Sequence, residues 1–138
     1  MFAYSKAYLD DVVGNQGKLF LMAAEDYPET DTRDFIETYM KSKTRKSIDN
    51  AMAYTITMDA PDLMDYFLKT EHYSFKKGEQ FRGFFPDWLG EFYAYYQWYY
   101  NIPSSDLTSK IPVDFLRKAY PGIHDLELEL AVQKVGIQ

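Results

Sequence analysis

The stretch FRGFFPDWLGEFYAYYQWYY, residues 81–100, decides how this chain folds: eleven of its twenty residues are aromatic. On a helical wheel, Trp88, Phe92, Tyr95, Tyr96 and Tyr99 share one face, with Leu89, Tyr93 and Tyr100 at its edge. The other side carries Gly90, Ala94 and Gln97, flanked by Asp87, Glu91 and Trp98. A helix apolar around most of its girth is a buried one, so residues 87–101 are placed at the centre of a helical bundle. Gly90 and Ala94 are four apart, and they leave a nearly flat side that a second backbone can approach closely.

Outward from this segment, periodicity and breakers give more helices. Toward the N-terminus, residues 4–26 carry an apolar stripe of Leu9, Val12, Val13, Phe20, Ala23 and Tyr27 at helical spacing, with Gln16 in its middle. Gly14 and Gly17 lie off the stripe; each weakens a helix by about 1 kcal/mol relative to Ala, which points to a kink or a tight helix contact. After Pro28, Thr30-Asp31-Thr32 offers caps for a helix bearing Phe35, Ile36, Tyr39 and Met40, and a helix continues or restarts after Ser42. Residues 53–58 (AYTITM) are rich in β-formers and read as a short extended connector. Asp59, Pro61 and Asp62 open the next helix, buried through Leu63, Met64, Phe67 and Leu68.

Residues 71–86 contain Gly78, Gly83 and Pro86 without periodicity, the longest irregular stretch. Beyond the aromatic helix, Ile102-Pro103-Ser104-Ser105 stops it and caps a short helix through Lys110. Pro112 opens another, with Phe115, Leu116 and Tyr120 inward, and Pro121-Gly122 ends it. Asp125 caps a final helix to about Val135, while the alternation of residues 126–130 leaves a strand open. The fold class read from this pattern is all-α: one domain, residues 1–138, of six to eight helices around the aromatic one.

With 138 residues and 16.2 kDa the chain is one domain long, and surface scaling predicts a folded area of about 7,400 Å². Aromatic residues number 25 against 23 for Ile, Leu and Val together, so the core is built largely of rings, and thirteen tyrosine hydroxyls require partners. The net charge of −6 argues against general nucleic-acid binding and favours basic partners. Cysteine is absent, which removes disulfides, thiolate metal sites and a cysteine nucleophile. No apolar run resembles a signal peptide or a membrane span, so a cytoplasmic setting without membrane contact is expected.

The central helix carries more large rings than a domain of this size is expected to enclose. Tyr and Trp are enriched at binding hot spots, so Trp98, Tyr100, Tyr93, Trp88, Phe84 and Phe85 are the candidate partner-binding residues, for a protein partner or a second copy of the chain. Catalytic groups are sparse. Asp59, Asp62 and Asp65 approach one helix face as a divalent-cation site would require, yet capping and solvation account for them. His72 and His124 have no nucleophile motif or zinc spacing around them; either is the base of an alternative small-molecule-binding or enzymatic reading with a Tyr-lined pocket. Lys41, Lys43, Arg45 and Lys46, and Lys76, Lys77 and Arg82, read as solvated basic faces or as contacts for phosphate or acidic groups. No metal, cofactor or catalytic residue is assigned.

Three stretches, YLDD at 8–11, LGEFYAYYQWYY at 89–100 and YPGIHD at 120–125, together resemble a family of small uncharacterised proteins from Gram-positive gut bacteria. The AYYQWY core at residues 94–99 carries most of the resemblance, which spans about half the chain. The resemblance implies an aromatic helical fold without a catalytic motif. It also implies proximity to toxin–antitoxin-like genes, and hence a neutralising, antitoxin-like or regulatory accessory role.

Overall fold

The computed structural model of the chain describes residues 1–137. A 3-10 turn at Lys6–Tyr8 leads into α1 (Leu9–Glu25), followed by α2 (Thr32–Met40), α3 (Lys43–Asp49), α4 (Ala53–Ile56) and α5 (Ala60–Thr70). The aromatic segment forms α6 (Phe85–Tyr100), and α7 (Ser104–Lys110), α8 (Val113–Ile123) and α9 (Leu128–Val135) complete an all-α domain. Among the described residues the only β pairing is an isolated bridge between Thr30 and Lys77.

Short polar side chains start several helices. Asp31 accepts from the Asp34 N–H, Ser42 from Arg45 and Asp59 from Asp62, at 3.0, 3.0 and 3.1 Å. The second helix therefore restarts at Ser42 instead of continuing. Asn101, in the left-handed region at φ 52, ends α6.

Four local expectations fail. Residues 53–58 do not form an extended connector, because α4 closes one helical turn there. Pro121 does not stop α8: it sits within the last turn, where it has no N–H to give the Arg117 carbonyl, and the helix runs on to Ile123. The last helix begins after Glu127 without a side-chain cap, so Asp125 does not cap it. Phe115, expected inward, stands half exposed on α8, where Val113, Leu116 and Ile123 supply the buried face.

The close approach expected at the flat side of α6 is where α1 crosses it. A Cβ on Gly90 would stand 2.5 Å from the Gln16 carbonyl oxygen and 2.8 Å from Gly17 Cα. Only hydrogen fits between these backbones. Gln16, in the middle of the α1 stripe, donates from Nε2 to the Gly90 carbonyl at 2.8 Å. A second ring cluster joins α1, α2 and α5. Phe35 meets Phe20, Phe67 and Tyr73 edge-on at 6.4, 5.3 and 5.6 Å and stacks with Phe75 at 5.4 Å.

The domain encloses the rings of α6 almost completely, against the expectation that it could not. Of the eleven rings between 81 and 100, seven are buried, Tyr95, Tyr99 and Tyr100 are partly covered, and Phe84 alone is exposed. The cover comes from both ends of the chain. Phe2 stacks on Trp98 at 4.0 Å, and the Trp98 indole donates to the Tyr4 carbonyl at 2.8 Å. Tyr96 and Tyr100 donate to the carbonyls of Gly136 and Val132 at 2.7 and 3.1 Å, while Tyr99 accepts from Gln133 at 2.9 Å. Each contact satisfies a polar group as it buries its ring. The resulting surface of 7242 Å² matches the scaling expectation.

Candidate functional site

The six candidate partner-binding residues divide between the two ends of α6. Tyr93 is fully buried and donates to the Ile111 carbonyl at 2.6 Å; that burial pushes its hydroxyl far above the ordinary tyrosine range. Trp98 is sealed beneath residues 2–4, and Tyr100 leans on α9. These three are packing residues in the structure, because their polar atoms are spent on backbone carbonyls. Phe84, Phe85 and Trp88 come together at the other end.

There the irregular stretch before α6 and the face of α8 form a groove made of two recesses that share Tyr120. One, of about 490 Å³, is lined by Glu79, Phe81, Arg82, Phe85, Arg117 and Tyr120. The other, of about 340 Å³, is lined by Phe84, Asp87, Trp88, Glu91, Tyr120 and His124. Phe85 and Trp88 are largely buried in the walls, whereas Phe84 is 77% exposed. It is held out because it precedes the first turn of α6, directly after Gly83 at φ 68.

The groove side chains fix one another. Tyr120 meets Phe85 and Trp88 edge-on at 5.4 and 5.3 Å, and His124 stacks on Tyr120 at 4.5 Å. His124 Nδ1 donates to the Tyr120 carbonyl at 2.8 Å, which leaves Nε2 as the ring nitrogen without a hydrogen bond among the described residues. At the other end the Arg117 guanidinium lies 4.3 Å over the Phe81 ring and 3.4 Å from Glu79. Asp87 and Glu91 are four apart on α6 and pack beside Gly17 of α1. Partial burial raises both carboxyls above their usual range; Lys18 opposes this at Asp87, and the Asp87 charge adds to it at Glu91. No serine, threonine or lysine lines the His124 recess, and His72 is exposed on the turn after α5.

Tyr120 and Arg117 were not among the candidate residues, and His124 was considered only as the base of the alternative reading. Their spacing of three and four places them on one helical face of α8, which is the signal a sequence reading could have used.

A second polar cluster lies in the seam of α1, α3 and α6. Arg45, read from sequence as part of a solvated basic face, is fully buried. Its Nε donates to Gln16 Oε1 at 2.7 Å, Nη1 to Asp49 Oδ1 at 3.0 Å and Nη2 to Gln97 Oε1 at 3.5 Å. Asp49 also accepts from the Ser104 N–H at 2.9 Å and its hydroxyl at 2.5 Å, tying α3 to α7. The Tyr39 hydroxyl is buried nearby without a hydrogen-bond partner among the described residues. Desolvation pushes Tyr39 up to about 12, with Arg45 opposing.

The acidic triplet has separate engagements: Asp59 caps α5, and Asp65 pairs with Lys69 at 3.0 Å. No helix among the described residues is long and apolar enough to cross a membrane. No protein-family model, curated protein or solved structure matches the chain.

Proposed function

We propose that this chain is a non-enzymatic, cytoplasmic protein-binding module that docks a basic, apolar segment of a partner in the groove between the start of α6 and α8. The observation that carries this reading is Phe84, an aromatic ring left 77% exposed at the lip of a recess walled by Trp88 and Tyr120. Binding hot spots are typically such rings, set beside pockets and rimmed by polar groups. Asp87 and Glu91 flank it without a salt-bridge partner among the described residues, and the chain carries a net charge of −6. Both features favour a cationic partner and speed its encounter. An antitoxin-like or regulatory accessory role is the form of this function that the AYYQWY resemblance implies.

The test is isolation of the native protein from its source cell, with and without crosslinking, alongside Phe84→Ala and Asp87→Asn/Glu91→Gln variants. A partner retained by the wild type and lost from both variants, with binding that weakens as salt rises, is the expected result. Emergence of the wild type alone at low salt after crosslinking overturns the reading. Sedimentation separates a partner from a second copy of the chain.

A further inference from the structure

We propose that the recess beside the buried Arg45 is a binding site for a small molecule carrying a carboxylate or phosphate group. The recess has a volume of about 340 Å³, within the range of small-ligand clefts, and shares no residue with the docking groove.

Its charge is what selects the ligand. Lys41, Lys46 and Asp49 line it. Asp49 is already engaged, since Arg45 and the Ser104 amide and hydroxyl bond its two oxygens. Lys41 and Lys46, by contrast, make no ion pair among the described residues. With Arg45 and Asp49 cancelling, two lysine charges remain beside a concave surface on a chain that is acidic overall. Both lysines are exposed and stand at the rim of the recess, where an anion from solvent meets them.

The remaining lining is built for recognition. Gln97 is almost fully buried, and its carbonyl is turned toward Arg45 at 3.5 Å. That orientation leaves its amide nitrogen, which makes no hydrogen bond to the described residues, as a donor at the recess. Asn50 and Asn101 add two more carboxamides. Met40, Ile102 and Pro103 supply apolar contact for the body of a ligand. Oxyanions form their strongest hydrogen bonds with such cationic and amide donors. The left-handed Asn101 turns the chain out of α6 and carries Ile102 and Pro103 to this wall.

The experiment titrates the intact protein with inorganic phosphate and, separately, with acetate, at ionic strength held constant with chloride. Side-chain amide signals of Asn50, Gln97 and Asn101 are followed by ¹⁵N NMR. Saturable shifts confined to these residues are expected for at least one anion, and the tighter of the two identifies the head group. The surface variant Lys41→Gln/Lys46→Gln should weaken binding tenfold or more, whereas Lys118→Gln on α8 should leave it unchanged. Absence of saturation by either anion, or an equal response from the double lysine variant, overturns the proposal.

Discussion

Gln16 donates to the Gly90 carbonyl at 2.8 Å where the backbones of α1 and α6 touch, so this hydrogen bond and the missing Gly90 side chain depend on each other. A methyl group at position 90 would meet backbone, which cannot swing aside. Gly90→Ala should therefore destabilise the domain by about 1–3 kcal/mol, despite a gain in helix propensity of about 1 kcal/mol. Gly14, in the same helix as Gln16, faces open space where a Cβ would stand, with nothing within 4 Å. Gly14→Ala should raise Tm by about 2–4 °C. Urea and thermal melts of the pair check the opposite signs.

Arg45 is expected to be the most costly polar residue to remove. Arg45→Met strands the Asp49 carboxylate and two buried carboxamides, a loss of about 3–5 kcal/mol. Combining it with Asp49→Asn should cost less than the sum of the single changes, because the two groups share one network. A double-mutant cycle in denaturant measures the difference.

Tyr39 makes folding sensitive to alkali. Its folded value of about 12 exceeds the ordinary 10, so the folded chain holds this proton more tightly than the unfolded chain. Its contribution is whole below pH 10 and drains away as pH rises toward 12. Tyr39→Phe also removes a buried hydroxyl without a partner. The variant should match or exceed wild-type stability at pH 7 and lose less between pH 10 and about 12, as read by denaturant midpoints across pH.

At Glu91, stability and binding should pull in opposite directions. Burial raises its carboxyl, so its contribution to folding is full in acid and declines as pH rises through the raised value. Glu91→Gln should lift Tm at pH 7, flatten the acid limb of the stability profile and weaken partner capture.

Phe84 and Trp98 should separate surface from core. Phe84→Ala is expected to change stability by less than about 0.5 kcal/mol while abolishing partner binding. Trp98→Ala should cost about 3–5 kcal/mol, since it empties the space between Phe2 and Tyr95 and frees the Tyr4 carbonyl. Melting curves and partner capture on the same preparations check both.

The helical plan was legible because its signals are local. Asp31, Ser42 and Asp59 announce helix starts by the chemistry of their side chains, and Gly17 and Gly90 mark a close crossing by having none. Enclosure of the rings was not legible, because the cover for Trp98 comes from Phe2 and Tyr4 at the far end of the chain. The fate of Arg45 was hidden among lysines, although Thr44, Arg45 and Ile48 share a buried face of α3. In residues 53–58, β-forming side chains yielded to a helical turn whose Thr55 hydroxyl bonds Ser47 at 2.7 Å, a tertiary contact that propensity does not report. Of the candidate site, Phe84, Phe85 and Trp88 were named from the sequence, whereas Tyr120 and Arg117, brought to them by α8, were not.

The two tryptophans of the chain sit at opposite ends of one helix, in different company. Trp88 touches Phe92 and Tyr120, whereas Trp98 is clamped under Phe2. Replacing either indole with phenylalanine thus leaves a single indole, whose emission lies to the red of that of the thirteen tyrosines. One version of the protein would signal events at the α8 side, and the other would signal whether the first residues have lifted away, with no dye attached to either.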